Sequence, residues 1–317
     1  MKKSAWHNKV PYVFLTLCIF FLAPNAFGQW TGKVILGDTT VGQPGFAEFQ
    51  GQLYLAWAGT NSNHTINVMS SGDGLNYGNK VTLSNFTSPN GYGPSLSAVP
   101  GCGTLNLSYV GGGHNVNVSH SYNGINWSGQ TPLSWSYATA TAVLNGGEWP
   151  YGGVAFSDGA EVPHLYFFND CSHSSFSISC FIWDGPSCAD DRSRLRGAPA
   201  WSQSDSLRAL TNDGEAAPGQ IYFGINNGWF ASDGNWSDKG PSAAFDTTYG
   251  NRYIAWRGAG EASGNINIQN VNTGVTVISA DASPDTPVLA IFQDQIYVAW
   301  RGGGGSNNLN IAKMDLF

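Results

Sequence analysis

Gln295-Ile-Tyr-Val-Ala-Trp-Arg-Gly302, followed after a short Gly/Asn run by Asn308-Leu-Asn-Ile311, decides the reading of this chain because it recurs. The same pattern appears as Asn251-Arg-Tyr-Ile-Ala-Trp-Arg-Gly258 before Asn265-Ile-Asn-Ile268, and as Gln52-Leu-Tyr-Leu-Ala-Trp-Ala-Gly59 before Thr65-Ile-Asn-Val68. A fourth copy is Thr104-Leu-Asn-Leu-Ser-Tyr-Val-Gly111 before Asn115-Val-Asn-Val118. Each is preceded by a proline that leads a small, apolar run: Pro44-Gly-Phe-Ala47, Pro94-Ser-Leu-Ser-Ala98, Pro241-Ser-Ala-Ala244 and Pro287-Val-Leu-Ala290.

Each unit reads as strand, turn, aromatic-rich strand, Gly/Asn loop, strand with alternating Asn, turn, strand. Pro44 and Pro94 are 50 residues apart, and Pro241 and Pro287 are 46 apart. A period near ~45 with four strands per unit is what propeller blades show. Between Pro94 and Pro241 two degenerate units fit, placed at Gly152-Gly-Val-Ala-Phe156 with Pro163-His-Leu-Tyr-Phe-Phe168, and at Ala198-Pro-Ala-Trp201 with Ser206-Leu-Arg-Ala-Leu-Thr211. The expectation is an all-β fold: a six-bladed β-propeller of four-stranded antiparallel blades, with five blades as the alternative count.

The last unit has only three strands before Phe317, while Trp30-Thr-Gly-Lys-Val-Ile-Leu36 has the character of the missing fourth, Asn79-Lys-Val-Thr-Leu83. The N-terminal strand is therefore expected to pair with Asn308 to Met314 and close the last blade, which removes two free sheet edges.

Composition narrows the function classes. Lys2, Lys3 and Lys9, the apolar run from Val10 to Ala23, and small residues ending at Gly28 read as a signal peptide, residues 1–28, with a single domain over 29–317. The apolar run contains a proline and is shorter than the ~20 residues needed to span a bilayer, so no membrane span is expected in the mature, secreted chain. Loss of three lysines and no acids takes the formal charge from −7 to −10 and leaves eleven Lys plus Arg. Nucleic acid is excluded as a partner, since a phosphate backbone requires clustered cations. Outside the signal, Cys102, Cys171, Cys180 and Cys188 form an even set, which in an oxidising compartment favours two disulfides over a zinc site; three pairings are open.

The hairpins Met69-Ser-Ser-Gly-Asp-Gly-Leu-Asn-Tyr77 and Ser119-His-Ser-Tyr-Asn-Gly-Ile-Asn-Trp127 resemble decayed Asp boxes, the S-x-D-x-G-x-x-W turns of sialidase-like propellers. Asp73 and Asn123 sit one place off the family's Asp, and Ser232-Asp-Gly-Asn-Trp236 is a shortened version. An Asp box is a structural turn, its carboxylate or amide binding nearby backbone N–H groups. The resemblance covers nearly all of the mature chain. It implies a propeller and, for a true sialidase, three arginines on a substrate carboxylate, a Tyr–Glu nucleophile and an Asp general acid.

That catalytic set is not legible. The family's Arg-Ile-Pro signature is absent, no arginine precedes Arg192, and Arg192, Arg194 and Arg196 are bunched in one loop. Arg208, Arg257 and Arg301 remain at similar positions of three units. Glu48, Glu148, Glu161, Glu215 and Glu261 offer no pairing for two-carboxylate hydrolysis. Hydrogen-bonded turns explain Asp233 to Asp238 better than calcium does, His64, His114, His164 and His173 lack ligand spacing, and no cofactor is expected.

Trp57, Tyr109, Trp256 and Trp300 are expected as core between adjacent units. The Gly/Asn loops that follow them combine close backbone approach with amide donors and acceptors, which suits sugar hydroxyls. The candidate ligand-binding residues are Arg257 with Glu261, Arg301 with Asn307, and the equivalent His64 and His114, all after the second strand of their units. The alternative for the two arginines is surface ion pairing with neighbouring acids. The functional expectation is a secreted, lectin-like propeller binding a glycan or glycoprotein surface. A secreted exo-sialidase or related hydrolase is the alternative, and a cell-surface scaffold the third.

Overall fold

The computed structural model describes residues 30–317 apart from 90–91, 134–137, 139–142, 146–151, 158–162, 181–199, 202–207, 212–219, 226–227 and 260–263. The signal segment, Glu148, Glu161, Cys188, Arg192, Arg194, Arg196, Glu215 and Glu261 lie outside the described residues.

Among the described residues the strands form six four-stranded antiparallel sheets. The first holds β2 (Gly45–Phe49), β3 (Gln52–Ala58), β4 (Thr65–Ser71) and β5 (Gly78–Thr87). The second holds β6 (Ser95–Val99), β7 (Thr104–Val110), β8 (Val116–Ser121) and β9 (Thr131–Pro132). The third and fourth are β10 (Val143–Asn145), β11 (Gly153–Ser157), β12 (Pro163–Phe168) and β13 (Phe176–Cys180), then β14 (Ala200–Trp201), β15 (Arg208–Thr211), β16 (Gln220–Ile225) and β17 (Gly228–Trp236). The fifth is β18 (Ser242–Phe245), β19 (Arg252–Arg257), β20 (Asn265–Asn270) and β21 (Thr276–Ala282). The last is β22 (Val288–Phe292), β23 (Gln295–Arg301), β24 (Asn308–Asp315) and β1 (Gly32–Thr39).

The first strands of successive sheets touch in a ring, β2 with β6, β6 with β10, β10 with β14, β14 with β18, β18 with β22, and β22 back to β2. This is a β-propeller arrangement. Because strands alternate in direction, each second-to-third loop and each connection to the next sheet emerge at one end of the ring. The first-to-second and third-to-fourth turns emerge at the other.

Packing follows from that geometry. An inner strand has a neighbouring sheet on each face, so β4 and β7 are buried at every position, unlike outermost β1, where burial alternates. Trp57, Tyr109, Trp256 and Trp300 are buried in the apolar clusters between sheets. Burying an aromatic of this size stabilises by roughly 2–3 kcal/mol. The closing strand pairs Gly32 with Lys313, Val34 with Ile311 and Thr39 with Asn308. Trp30 stacks on Trp300 at 6.0 Å between ring centroids and donates its indole N–H to Asp281 at 2.7 Å.

Two readings need correction. In the third sheet Gly153–Ser157 is the second strand, and the inner strand is Val143–Asn145, too short and too ordinary to stand out. Ser232 to Trp236 lies inside β17 and is no hairpin turn, so it is not a shortened Asp box.

Candidate functional site

The Gly/Asn loops share one construction. The N–H of the glycine ending each second strand donates across the loop: Gly59 to Thr65 at 2.9 Å, Gly111 to Asn115 at 2.9 Å, Gly258 to Asn265 at 2.8 Å and Gly302 to Asn308 at 2.8 Å. Two residues beyond each acceptor, the side-chain amide of Asn67, Asn117, Asn267 or Asn310 donates back to the same carbonyl at 2.9 to 3.1 Å. That amide lies under the glycine. A Cβ there would stand 3.2 Å from Asn67, 2.5 Å from Asn117 and 2.9 Å from Asn267 and Asn310. The opening motif thus pairs its glycine and its asparagine for packing.

The residue that closes each loop has a left-handed backbone: His64 (φ 47°), His114 (φ 62°), Gly264 (φ 103°) and Asn307 (φ 52°). Asn and His enter this region more readily than most residues. The carbonyls of these four accept N–H groups from the connections between sheets, Ser88 at 3.1 Å, Ala138 at 3.0 Å, Ser283 at 2.7 Å and Thr40 at 2.9 Å. Three of the predicted site residues, His64, His114 and Asn307, therefore hold a loop to a linker. Nδ1 of His64 also lies 3.1 Å from the Gly59 carbonyl, and Nδ1 of His114 3.1 Å from that of Ala138.

Arg257 and Arg301 differ from these, because the equivalent place in the first sheet holds Ala58. Arg257 pairs with Asp238 and donates Nε–H to the Ser283 carbonyl at 2.9 Å. Arg301 Nε lies 2.9 Å from Asp285 Oδ2, in an ion pair whose angle makes no hydrogen bond, and Nη1 donates to the Val41 carbonyl at 2.5 Å. Burial raises the Asp285 pKa, opposed in turn by Arg301, Lys239 and Arg257. Two linkers, Ser237 to Pro241 and Ser283 to Pro287, thus meet the ends of β19 and β23 in one charged cluster. Beside it stands Trp236, 43% exposed, whose carbonyl accepts the Ala259 N–H at 3.2 Å. The sequence reading named neither Trp236 nor Asp238 nor Asp285 as site residues.

At the opposite end the turns are structural. The Asp73 carboxylate accepts the N–H groups of Asn76 at 2.7 Å and Leu75 at 3.0 Å and the Ser71 hydroxyl at 2.9 Å, which together hold its pKa well below the usual carboxylate range. The Asn123 amide oxygen does the same for Ile125 and Asn126. Each turn seats the tyrosine of a neighbouring sheet: Tyr297 donates to the Asp73 carbonyl at 3.0 Å and Tyr54 to that of Asn123 at 3.3 Å. Tyr253 finds the Phe317 carbonyl at 3.2 Å in the same role. One disulfide joins Cys102, in the first turn of the second sheet, to Cys171, in the last turn of the third. Next to it His173 is buried, with Nε2 2.9 Å from the Asn106 amide nitrogen.

No protein-family model matches the sequence, and no curated protein matches it. Solved structures share the fold. A protein of unknown function from Dyadobacter fermentans superimposes with a TM-score of 0.63 at 14% identity, over 92% of this chain and 100% of that one. The NanB sialidase of Streptococcus pneumoniae gives 0.53 at 10% identity, over 90% and 70%. Trypanosoma rangeli sialidase gives 0.53 at 11% identity over 92% of this chain and only 58% of that one. Likeness at this level of identity concerns the fold, which is that of a sialidase-like propeller.

Proposed function

We propose that this chain is a secreted, non-catalytic carbohydrate-binding protein whose six sheets are the six blades of one propeller. The sugar would bind at the end that carries Trp236, Arg257 and Arg301. The observation behind this reading is the exposed Trp236, two residues before the Asp238 that pairs with Arg257. An indole face takes the apolar face of a sugar ring, while the Asp238 carboxylate, 42% exposed, keeps acceptor positions for hydroxyl groups beyond its pairing with Arg257. His64, His114 and Asn307, on second-to-third loops at the same end of the ring, and Glu261, outside the described residues, are proposed as further ligand contacts.

Two features favour binding over hydrolysis. The guanidinium groups of Arg257 and Arg301 are committed to Asp238, Asp285 and the Val41 carbonyl. Tyr54, Tyr77, Tyr109, Tyr166, Tyr253 and Tyr297 have pKa values raised by burial, the opposite of what an activated nucleophile needs.

A glycan array on the mature protein, beside a fluorogenic sialoside assay, tests the reading. Binding should appear without turnover, and Trp236→Ala should abolish it at an unchanged melting temperature. Sialoside cleavage would transfer the protein to the hydrolase class. A bound glycan that survives Trp236→Ala would move the site elsewhere.

A further inference from the structure

The first strands of four sheets line an open recess of about 190 Å³ at the end of the ring remote from Trp236. Its lining includes Glu48, Ala98, Phe245 and Ile291. These four share one register: each precedes the turn into its second strand and pairs with the equivalent residue there, Leu53, Leu105, Arg252 and Ile296. Three of them are apolar and one is a carboxylic acid. Ala243, Ala244 and Ala290 also contribute to the walls, so small side chains keep the space open.

Glu48 does not serve the fold in the way the other acids do. One carboxylate oxygen accepts the Gly51 N–H at 2.8 Å in the adjoining turn, a bond an amide would make equally well. Among the described residues no Lys, Arg or His forms a salt bridge with it. A carboxylate is acceptor-only, and in a recess partly sheltered from water its attraction for a cation is stronger than in open water. Size limits the rest of the ligand. An apolar cavity of about 150 Å³ holds a benzene molecule, so this one matches a single ring or short chain with one further group.

We propose that this recess binds a small organic cation: an apolar body in contact with Ala98, Phe245, Ala290 and Ile291, and one ammonium group at Glu48. The site is separate from the carbohydrate end and independent of that reading.

Benzylammonium is the probe, with benzyl alcohol as its uncharged counterpart, followed by titration calorimetry and ligand-observed NMR on the mature protein. Saturable binding of benzylammonium is expected, at least tenfold tighter than the alcohol. Glu48→Gln keeps the Gly51 bond and should lose at least tenfold for benzylammonium only. Ala98→Leu fills the space and should abolish binding of both, and Trp236→Ala should change neither. Melting curves show that each variant is folded. Absence of saturable benzylammonium binding to the wild-type protein, or equal affinity in Glu48→Gln, overturns the proposal.

Discussion

The side-chain amide of Asn310 lies beneath Gly302, 2.9 Å from the point where a Cβ on that glycine would stand. The same relation links Asn117 to Gly111 at 2.5 Å and Asn67 to Gly59 at 3.2 Å. None of the three glycines has a positive φ, so any penalty for alanine comes from contact, which at Gly302 includes Ser306 Oγ at 2.7 Å as well. Overpacking of this kind costs typically 1–3 kcal/mol. The expected order of destabilisation is Gly111→Ala, then Gly302→Ala, then Gly59→Ala, measured by urea unfolding. Adding Asn117→Ala to Gly111→Ala should recover part of the loss; strictly additive effects would refute the packing relation.

Removing Arg301 should destabilise the protein through Asp285. The two side chains are only 20% and 21% exposed, and burial already raises the Asp285 pKa. Breaking a fully buried pair costs about 3–5 kcal/mol, and partial exposure here reduces that to roughly 1–3 kcal/mol. Arg301→Gln should therefore lose stability, and Arg301→Gln with Asp285→Asn should lose less. An Arg301→Gln variant as stable as the parent would mean that the pair is screened as a surface pair.

The strand pattern was legible because four of the six units, the first, second, fifth and sixth, write their inner strands out in full, with alternating Asn in the third and a glycine after the aromatic. The closing strand was legible for the same reason: Val34 and Leu36 alternate as in the other outer strands and left one unit short. The third sheet was displaced by one strand because Val143–Asn145 carries no proline or aromatic. The backbone role of His64, His114 and Asn307 was not legible, because a left-handed residue leaves little trace in a single sequence unless it is glycine. The partners of Arg257 and Arg301 were invisible for another reason. Asp238 and Asp285 come from linkers, 19 and 16 residues away, that only the ring brings together.

Stability should fall between pH 7 and pH 4 because of His173. Its pKa is lowered from 6.5 to about 4, by burial first and by His120 second, with Asp170 opposing both. The unfolded chain then binds a proton that the folded chain refuses, so the contribution is complete above pH 6.5 and is lost as pH falls toward 4. The shift corresponds to about 2 kcal/mol between pH 7 and 5. Asp73 and Asp170, both lowered by hydrogen bonds, lose their contributions below about pH 5, so a comparison of pH 7 with pH 5 reads His173 with little from them. Urea unfolding of the parent and of His173→Gln at both pH values isolates the residue, and parallel pH dependences in the two proteins would rule it out.

The closing strand should be separable and replaceable. Without residues 30–39, β24 presents an unpaired edge, and Trp300 loses both the stacked ring of Trp30 and the Lys33 ammonium 5.4 Å from its own ring centroid. Unpaired edges recruit other chains, and loss of a packed aromatic alone costs on the order of 3–5 kcal/mol. A chain beginning at Thr40 should melt well below the parent and self-associate in light scattering. A synthetic peptide of residues 30–39 supplied in trans should restore both properties, because strand addition to an open edge needs only the matching register of Val34 against Ile311. A scrambled peptide should do neither, and an unaltered melting temperature after truncation would show that the strand does not close the sheet in solution.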